Sequence, residues 1–160
     1  MTHFEEIISG LVKHKVRFVL VGGLAASAHG SSYITNDLDI CYERTPENIR
    51  RLVSYLRSID AKLRGVPGDL PFILDERTFS FSLNFTFRTD LGDLDLLGDM
   101  AGVGDYPEAL KLSDPLDLFG LHVDVLSIEG LLRAKKAAGR PKDIAHIKEL
   151  EGIREKLGNR

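Results

Sequence analysis

Two aspartates separated by a single residue, Asp37 and Asp39, are the residues whose spacing most directly indicates chemistry. Side chains two positions apart on a β-strand face the same side, so these carboxylates would point together while Leu38 and Ile40 point the other way. Adjacent negative charges repel each other unless a cation lies between them, and carboxylate oxygens suit Mg²⁺ that is held jointly with substrate phosphates. The pair therefore predicts a divalent metal site, and a solvated edge strand is the alternative interpretation.

A glycine pair, Gly22-Gly23, precedes these aspartates and ends a β-rich run over residues 17–21. Glycine lets the backbone approach a ligand closely, and the free N–H groups at the start of the next helix, predicted over residues 25–29, attract anions. The pattern predicts a phosphate-binding turn. A plain tight turn between a strand and a helix is the alternative interpretation.

Length and composition indicate one domain. The chain has 160 residues, of which 43% are hydrophobic, so we expect a single domain over residues 1–160, with a core to about 126 and a helical segment from about 127. No apolar run is long enough to cross a bilayer and no signal pattern begins the chain, so we expect a cytoplasmic protein with no membrane partner. The single cysteine, Cys41, excludes an intrachain disulfide and a thiolate metal cluster.

Charge is distributed unevenly along the chain. The formal net charge is −3, yet residues 133–160 carry nine Lys or Arg against four Asp or Glu. The overall balance argues against indiscriminate nucleic-acid binding, whereas the basic tail is compatible with tRNA as a partner. An ordinary solvated helix surface is equally consistent with this charge.

Periodicity predicts an α/β (α+β) fold in which a mixed β-sheet is flanked by helices and followed by a C-terminal helical tail. Strict alternation of apolar and polar residues from Phe79 to Arg88 predicts one half-buried strand, and a turn at Asp90 joins it to the next strand. Thr2 and Glu5 have the spacing of a capping box. Thr45 and Ser127 are predicted to cap the helices that follow them, and Gly139 is predicted to end the second of these helices. The predicted helices span 3–14, 46–59, 127–138 and 141–157; the other strands span 37–42, 94–97, 117–119 and 122–126; loops are predicted over 65–76 and, with mobility, over 98–105.

The order of these motifs resembles a known signature. Gly22-Gly23, thirteen intervening residues and Asp37-Leu-Asp39-Ile resemble the nucleotidyltransferase superfamily that shares the DNA polymerase β-like palm. Lys135 and Arg140-Pro-Lys-Asp143 look like the tail motifs of small bacterial nucleotidyltransferases of the AbiEii and MNT-like types. The resemblance covers roughly residues 17–40, 86–97 and 128–150, and it implies the nucleotidyltransferase fold.

The resemblance also implies roles for individual residues. It requires a third carboxylate on a neighbouring strand, which Asp95 matches best and Asp93 matches as the alternative. Asp37, Asp39 and Asp95 would be catalytic and would bind Mg²⁺ or Mn²⁺, and Lys135 would be catalytic by stabilising phosphate charge. The implied nucleotide-binding residues are Gly22, Gly23, Thr35, Arg140 and Asp143.

Three positions depart from the family pattern. Gly23 stands where many members have a serine, Tyr33 where relatives often have an arginine, and His146 where the tail motif often has a second aspartate. These differences bear on catalytic rate and substrate choice more than on the fold.

The function implied by the resemblance is metal-dependent transfer of a nucleoside monophosphate from an NTP to an acceptor hydroxyl on RNA, protein or a small molecule. The resemblance also implies that the protein acts as the toxin of a toxin–antitoxin pair. The alternatives are a catalytically weak nucleotide- or RNA-binding module, and an interaction subunit that pairs with a helical partner or an antitoxin.

Overall fold

The structure, a computed structural model, describes residues 2–65 and 73–158. These residues form six α-helices, two short 3-10 helices and nine strands. The α-helices are α1 (Phe4–Lys13), α2 (Gly22–Ala28), α3 (Pro46–Ser58), α4 (Tyr106–Lys111), α5 (Ile128–Ala138) and α6 (Ile144–Gly158). The strands are β1 (Phe18–Val21), β2 (Leu38–Tyr42), β3 (Lys62–Leu63), β4 (Phe85–Thr89), β5 (Gly92–Leu97), β6 (Asp99–Met100), β7 (Gly104–Asp105), β8 (Ser113–Leu118) and β9 (Leu121–Leu126).

Seven of these strands form one mixed sheet in the order β3-β4-β5-β2-β1-β9-β8. The central strand β2 runs antiparallel to β1 and parallel to β5. The β4–β5 and β8–β9 pairs are antiparallel hairpins, as the sequence predicts. The mixed sheet and the helical C-terminal segment agree with the predicted fold class.

The core lies between the central strands and the helices. All four residues of β1 are buried, and Leu38 and Ile40 of β2 are fully buried, whereas Asp39 between them is only partly buried. This alternation is the one expected of a strand with an apolar face and a polar face. Because β2 is central and its inner face is packed, Asp39 is held on a rigid strand, and Asp37 lies directly before that strand.

Local capping chemistry sets several helix boundaries as predicted. The Thr45 side chain accepts a hydrogen bond from the Asn48 N–H at 3.3 Å, and the Ser127 hydroxyl accepts one from the Gly130 N–H at 3.1 Å. Gly139 ends α5 with a φ of +63°. The capping box predicted from Thr2 is wrong, because the Thr2 hydroxyl instead donates to the Asn36 carbonyl.

The long alternating strand predicted from Phe79 is half wrong. Residues Glu76–Ser80 form a 3-10 helix, Phe81 is 84% exposed, and β4 begins only at Phe85. The cause is local side-chain bonding, which competes with the strand ladder. The Asp75 carboxylate caps the 3-10 helix, and the Ser82 hydroxyl donates to the Asn84 carbonyl at 3.0 Å.

Two further elements differ from the prediction. The glycine-rich stretch over 98–105 is not a loop, because β6 and β7 pair within it as a small antiparallel sheet. The helix after β1 begins at Gly22 itself rather than three residues later. Most of the predicted loop over 65–76, namely residues 66–72, lies outside the described residues. Among the described helices, none combines the length and apolar character needed to span a membrane.

Candidate active site

Asp39 and Asp95 lie opposite each other on the parallel strands β2 and β5, and their carboxyl groups are close enough for each to alter the pKa of the other. Burial and the neighbouring carboxylates of Asp95 and Asp37 raise the pKa of Asp39 to about 8, while the Arg64 guanidinium acts in the opposite direction. Burial also raises the pKa of Asp95 above its ordinary value, against the effects of Asp39 and Arg64. Two acids this close share a proton or bind a cation.

Asp37 stands immediately before β2 and contributes charge to the same place. Its carboxylate raises the pKa of both Asp39 and Asp95. The turn that precedes it is held by Thr35, whose hydroxyl accepts the Asp37 N–H at 3.3 Å and donates to the Asp37 carbonyl at 3.2 Å. The three aspartates predicted from the sequence are therefore neighbours in the structure, as are Thr35 and Asp37.

The glycine pair packs directly against these residues. Gly22 has a φ of +70°, and a Cβ atom at this position would overlap the Asp39 carboxylate. A Cβ atom at Gly23 would lie 2.6 Å from the Cβ atom of Thr35. Both positions therefore require glycine for steric reasons, and the space that a serine would occupy at position 23 is filled by Thr35.

Arg64 is a site residue that the sequence analysis missed. Its Nη1 atom lies 3.0 Å from Oδ2 of Asp93, and its Nη2 atom lies 3.0 Å from Oδ1 of Asp95. Arg64 follows the two-residue strand β3, which has no periodicity to reveal it. No sequence signal connects a single arginine to two aspartates about thirty positions later.

The predicted tail residues form an ion-pair group around Asp143. Lys135 Nζ lies 3.3 Å from Oδ1 of Asp143, and Arg140 Nε lies 2.7 Å from Oδ2. Although burial acts in the opposite direction, the hydrogen bonds from Arg140 and Lys135 lower the pKa of Asp143. Asp143 thus contacts both cations and fixes their positions relative to each other.

The tail also contacts the segment that leads to Asp37. Tyr33 and His146, two of the three departures from the family pattern, stack on each other with ring centroids 4.3 Å apart. The Ser31 hydroxyl donates to the Glu149 carboxylate at 2.5 Å, and the Ser32 N–H donates to it at 3.2 Å. The two departures are therefore one contact, and it joins this segment to α6.

The side chains of Asp37, Asp39 and Asp95 offer only carboxylate oxygens as metal ligands, which is consistent with a hard divalent cation. Within residues 2–65 and 73–158, no three His, Cys, Asp or Glu side chains are arranged to hold a metal ion by themselves. Mg²⁺ is commonly bound by one or two carboxylates and completed by waters and substrate phosphates. The Asp39–Asp95 pair fits that mode of binding.

Several solved structures have a similar fold. A candidate nucleotidyltransferase (TM1012) from Thermotoga maritima matches with a TM-score of 0.59 and 19% identity over 100% of this chain and 97% of that one. ANT(2″)-Ia in complex with adenylyl-2″-tobramycin matches with a TM-score of 0.61 and 14% identity over 98% and 88% of the two chains. The lincosamide antibiotic adenylyltransferase LnuA, bound to lincomycin, matches with a TM-score of 0.62 and 14% identity over 94% and 95%.

At the level of sequence, no protein-family model and no curated protein matches the chain. The structural likeness therefore concerns the fold. It confirms the fold class predicted from the sequence.

Proposed function

We propose, from the fold that this chain shares with nucleotidyltransferases, that it transfers a nucleoside monophosphate from an NTP to an acceptor hydroxyl with the aid of a divalent metal ion. The contact between Asp39 and Asp95 beside Gly22 carries this proposal. A pair of partly buried acids on two central strands is costly unless a proton or a cation separates their charges. A metal ion bound with the phosphates of an NTP would take the place of that proton.

In this proposal Asp37, Asp39 and Asp95 bind Mg²⁺ or Mn²⁺. The bound metal would polarise the transferred phosphoryl group and make the acceptor hydroxyl a better nucleophile. Because the pKa of Asp39 is raised to about 8, this group must lose its proton before it can act as a carboxylate ligand. In this proposal Asp95 would also accept the proton of the acceptor hydroxyl.

The nucleotide phosphates would bind between the glycine turn and the tail. In this proposal the backbone N–H groups at Gly22 and Gly23 would donate hydrogen bonds to the phosphates. Thr35 would add a hydroxyl, since its Oγ1 atom lies 3.0 Å from the position of a Cβ atom at Gly23. Lys135 and Arg140, both oriented by Asp143, would supply positive charge toward the phosphates.

The acceptor stays a separate question. Two of the structural neighbours are named for antibiotic substrates or products, so a small-molecule hydroxyl is one acceptor class to test alongside RNA and protein. The tRNA acceptor, the antitoxin partner and the toxin role stay predictions from the sequence. Incubation with four α-labelled NTPs and whole-cell extract would identify the class that becomes labelled.

The metal site is tested with Asp39→Asn, which imitates the protonated acid and keeps its size. We expect Mn²⁺ with the preferred NTP to raise the melting temperature of the wild type. The free energy of unfolding should rise by about 2.7 kcal/mol when the ligand concentration is 100-fold above its Kd. We expect no such rise for Asp39→Asn, because one carboxylate ligand is missing. Release of pyrophosphate, measured in parallel, should be lost as well.

Asp114→Asn is the matched control, because Asp114 is exposed on the edge strand β8. It should respond to Mn²⁺ and NTP as the wild type does. An unchanged response in Asp39→Asn would contradict the metal assignment. Ligand-induced stabilisation of the wild type without pyrophosphate release, once acceptors have been supplied, would instead identify a nucleotide-binding module.

A further inference from the structure

The Arg64 guanidinium bridges two aspartates of β5. Its two terminal nitrogens each contact a different carboxylate at 3.0 Å, one on Asp93 and one on Asp95. The side chains of Arg64, Asp93 and Asp95 are 29%, 34% and 20% exposed, so the group is partly shielded from water. Hydrogen bonds between a guanidinium and carboxylates are strong and directional, because the planar fork fixes the angle of each contact.

The backbone on both sides of this bridge is held by the sheet. The Arg64 N–H donates to the Thr86 carbonyl at 2.9 Å, and Thr86 is the register partner of Asp95 across β4 and β5. Asp93 and Asp95 are two positions apart on β5 and therefore face the same side. The backbone of Arg64 is thus fixed beside Thr86, and its side chain extends across β4 to two carboxylates whose spacing is set by β5.

We propose that Arg64 is a positioning residue that uses Asp93 as its anchor and holds the Asp95 carboxylate in the orientation in which it meets Asp39. This inference rests on the proposed function and deepens it. It gives the two candidates for the third acidic position different roles: Asp95 is the ligand, and Asp93 fixes the arginine that orients the ligand.

The contact leaves Asp95 able to bind a metal. Arg64 approaches Oδ1 of Asp95, and an ionised carboxylate has about four acceptor sites on its two oxygens. Oδ2 has no contact with Arg64 and therefore stays available to a cation.

A competing interpretation makes the opposite prediction. If Arg64 were only a counter-ion of the acidic residues, it would repel an incoming cation, and its removal would strengthen metal binding. If it orients Asp95, its removal or its replacement by lysine weakens metal binding. Lysine keeps the charge but presents one ammonium in place of a planar fork, so it cannot reproduce both contacts.

The test measures binding of Mn²⁺, with and without the preferred NTP, by calorimetry and by thermal shift. We expect Arg64→Lys to bind Mn²⁺ at least about tenfold more weakly than the wild type, as is common when a partner that orients a metal ligand is lost. Asp93→Asn should weaken binding similarly while Arg64 is still present. The double variant should add little, because both substitutions break the same bridge.

Lys62→Gln is the matched control on the same edge strand. Lys62 is exposed, and among the described ion pairs it contacts only Asp60, at 3.6 Å. The Mn²⁺ affinity of Lys62→Gln should therefore equal that of the wild type. Melting temperatures without metal identify any variant that fails to fold. If Arg64→Lys is such a variant, Asp93→Asn makes the same comparison without changing the arginine.

The outcomes separate the two levels of the proposal. Wild-type affinity in both Arg64→Lys and Asp93→Asn would overturn the positioning role while leaving the metal site in place. Arg64→Gln removes the positive charge. Tighter Mn²⁺ binding by this variant would also overturn the positioning role and would support the interpretation of Arg64 as a counter-ion. A wild type that binds no Mn²⁺, with or without NTP, would remove the metal site itself and this inference with it.

Discussion

At the scale of single residues, the site depends on one position that has no side chain. Gly22 combines a positive φ with direct packing against the Asp39 carboxylate. Any other residue would be strained there and would displace the acid that faces Asp95. The glycine is therefore required by the carboxylate pair in addition to the turn, which joins two features that the sequence analysis treated separately.

We expect Gly22→Ala to lower the free energy of unfolding by about 1 to 3 kcal/mol, the usual cost of a strained backbone position, and to abolish Mn²⁺ binding because Asp39 must move. Gly152→Ala is the matched control in α6, where an added Cβ atom would meet nothing within 4 Å. It should raise stability by about 0.5 to 1 kcal/mol. Chemical denaturation of both variants measures the difference, and equal effects would contradict the packing argument.

At the scale of elements, α5 and α6 are connected by ion pairs in which acidic side chains neutralise part of the tail's positive charge. Arg154 contacts Glu129 at 3.1 Å and Glu151 at 3.7 Å, and Lys136 contacts Glu151 at 3.8 Å. These exposed pairs contribute little stability each, but they reduce the positive potential that an RNA would meet. The buried Asp143 is different, because two cations converge on it.

We expect Asp143→Asn to lower the free energy of unfolding by about 1.5 to 3 kcal/mol, the range for a lost hydrogen bond to a charged group. Lys135 would be left partly buried without its anion. Glu151→Gln, an exposed member of the same helix pair, should change stability by no more than about 1 kcal/mol. Urea denaturation checks both values, and a loss for Asp143→Asn as small as that for Glu151→Gln would show that the ion-pair group is not important for stability.

At the scale of the whole molecule, acidic groups are concentrated at the centre of the sheet. The folded state raises the pKa of Asp39 from 3.8 to about 8, so between these values the native chain binds more protons than the unfolded chain. Stability must then fall as the pH rises through this range. The lowered pKa of Asp143 acts with the opposite sign, and its contribution is lost only as the pH falls below the ordinary range of an aspartate.

We therefore expect the metal-free protein to lose stability steadily between about pH 4 and pH 8, and Asp39→Asn to show a smaller dependence. With saturating Mn²⁺ the slope should reverse, because the metal binds the deprotonated acids and competes with the proton. Melting temperatures across a pH series, with and without Mn²⁺, measure this effect. The same slope in the wild type and in Asp39→Asn would contradict the raised pKa.

The features that the sequence by itself determined are local ones. The i, i+2 spacing of Asp37 and Asp39, the caps at Thr45 and Ser127 and the glycine end of α5 depend on backbone geometry within a few residues, which periodicity and residue type report directly. The main error, the long strand predicted from Phe79, also has a local cause. The side chains of Asp75 and Ser82 form hydrogen bonds with nearby backbone, and the alternation of apolar and polar residues does not reveal these bonds.

Only the tertiary structure decided which distant groups meet. The register of β2 with β5 pairs Asp39 with Asp95, the edge strand β3 brings Arg64 to Asp93 and Asp95, and the packing of α6 stacks His146 on Tyr33. A shift of one residue in the β2–β5 register would turn one carboxylate to the other face of the sheet. Such registers are set by the burial of the whole core, so no short stretch of sequence contains the information that specifies them.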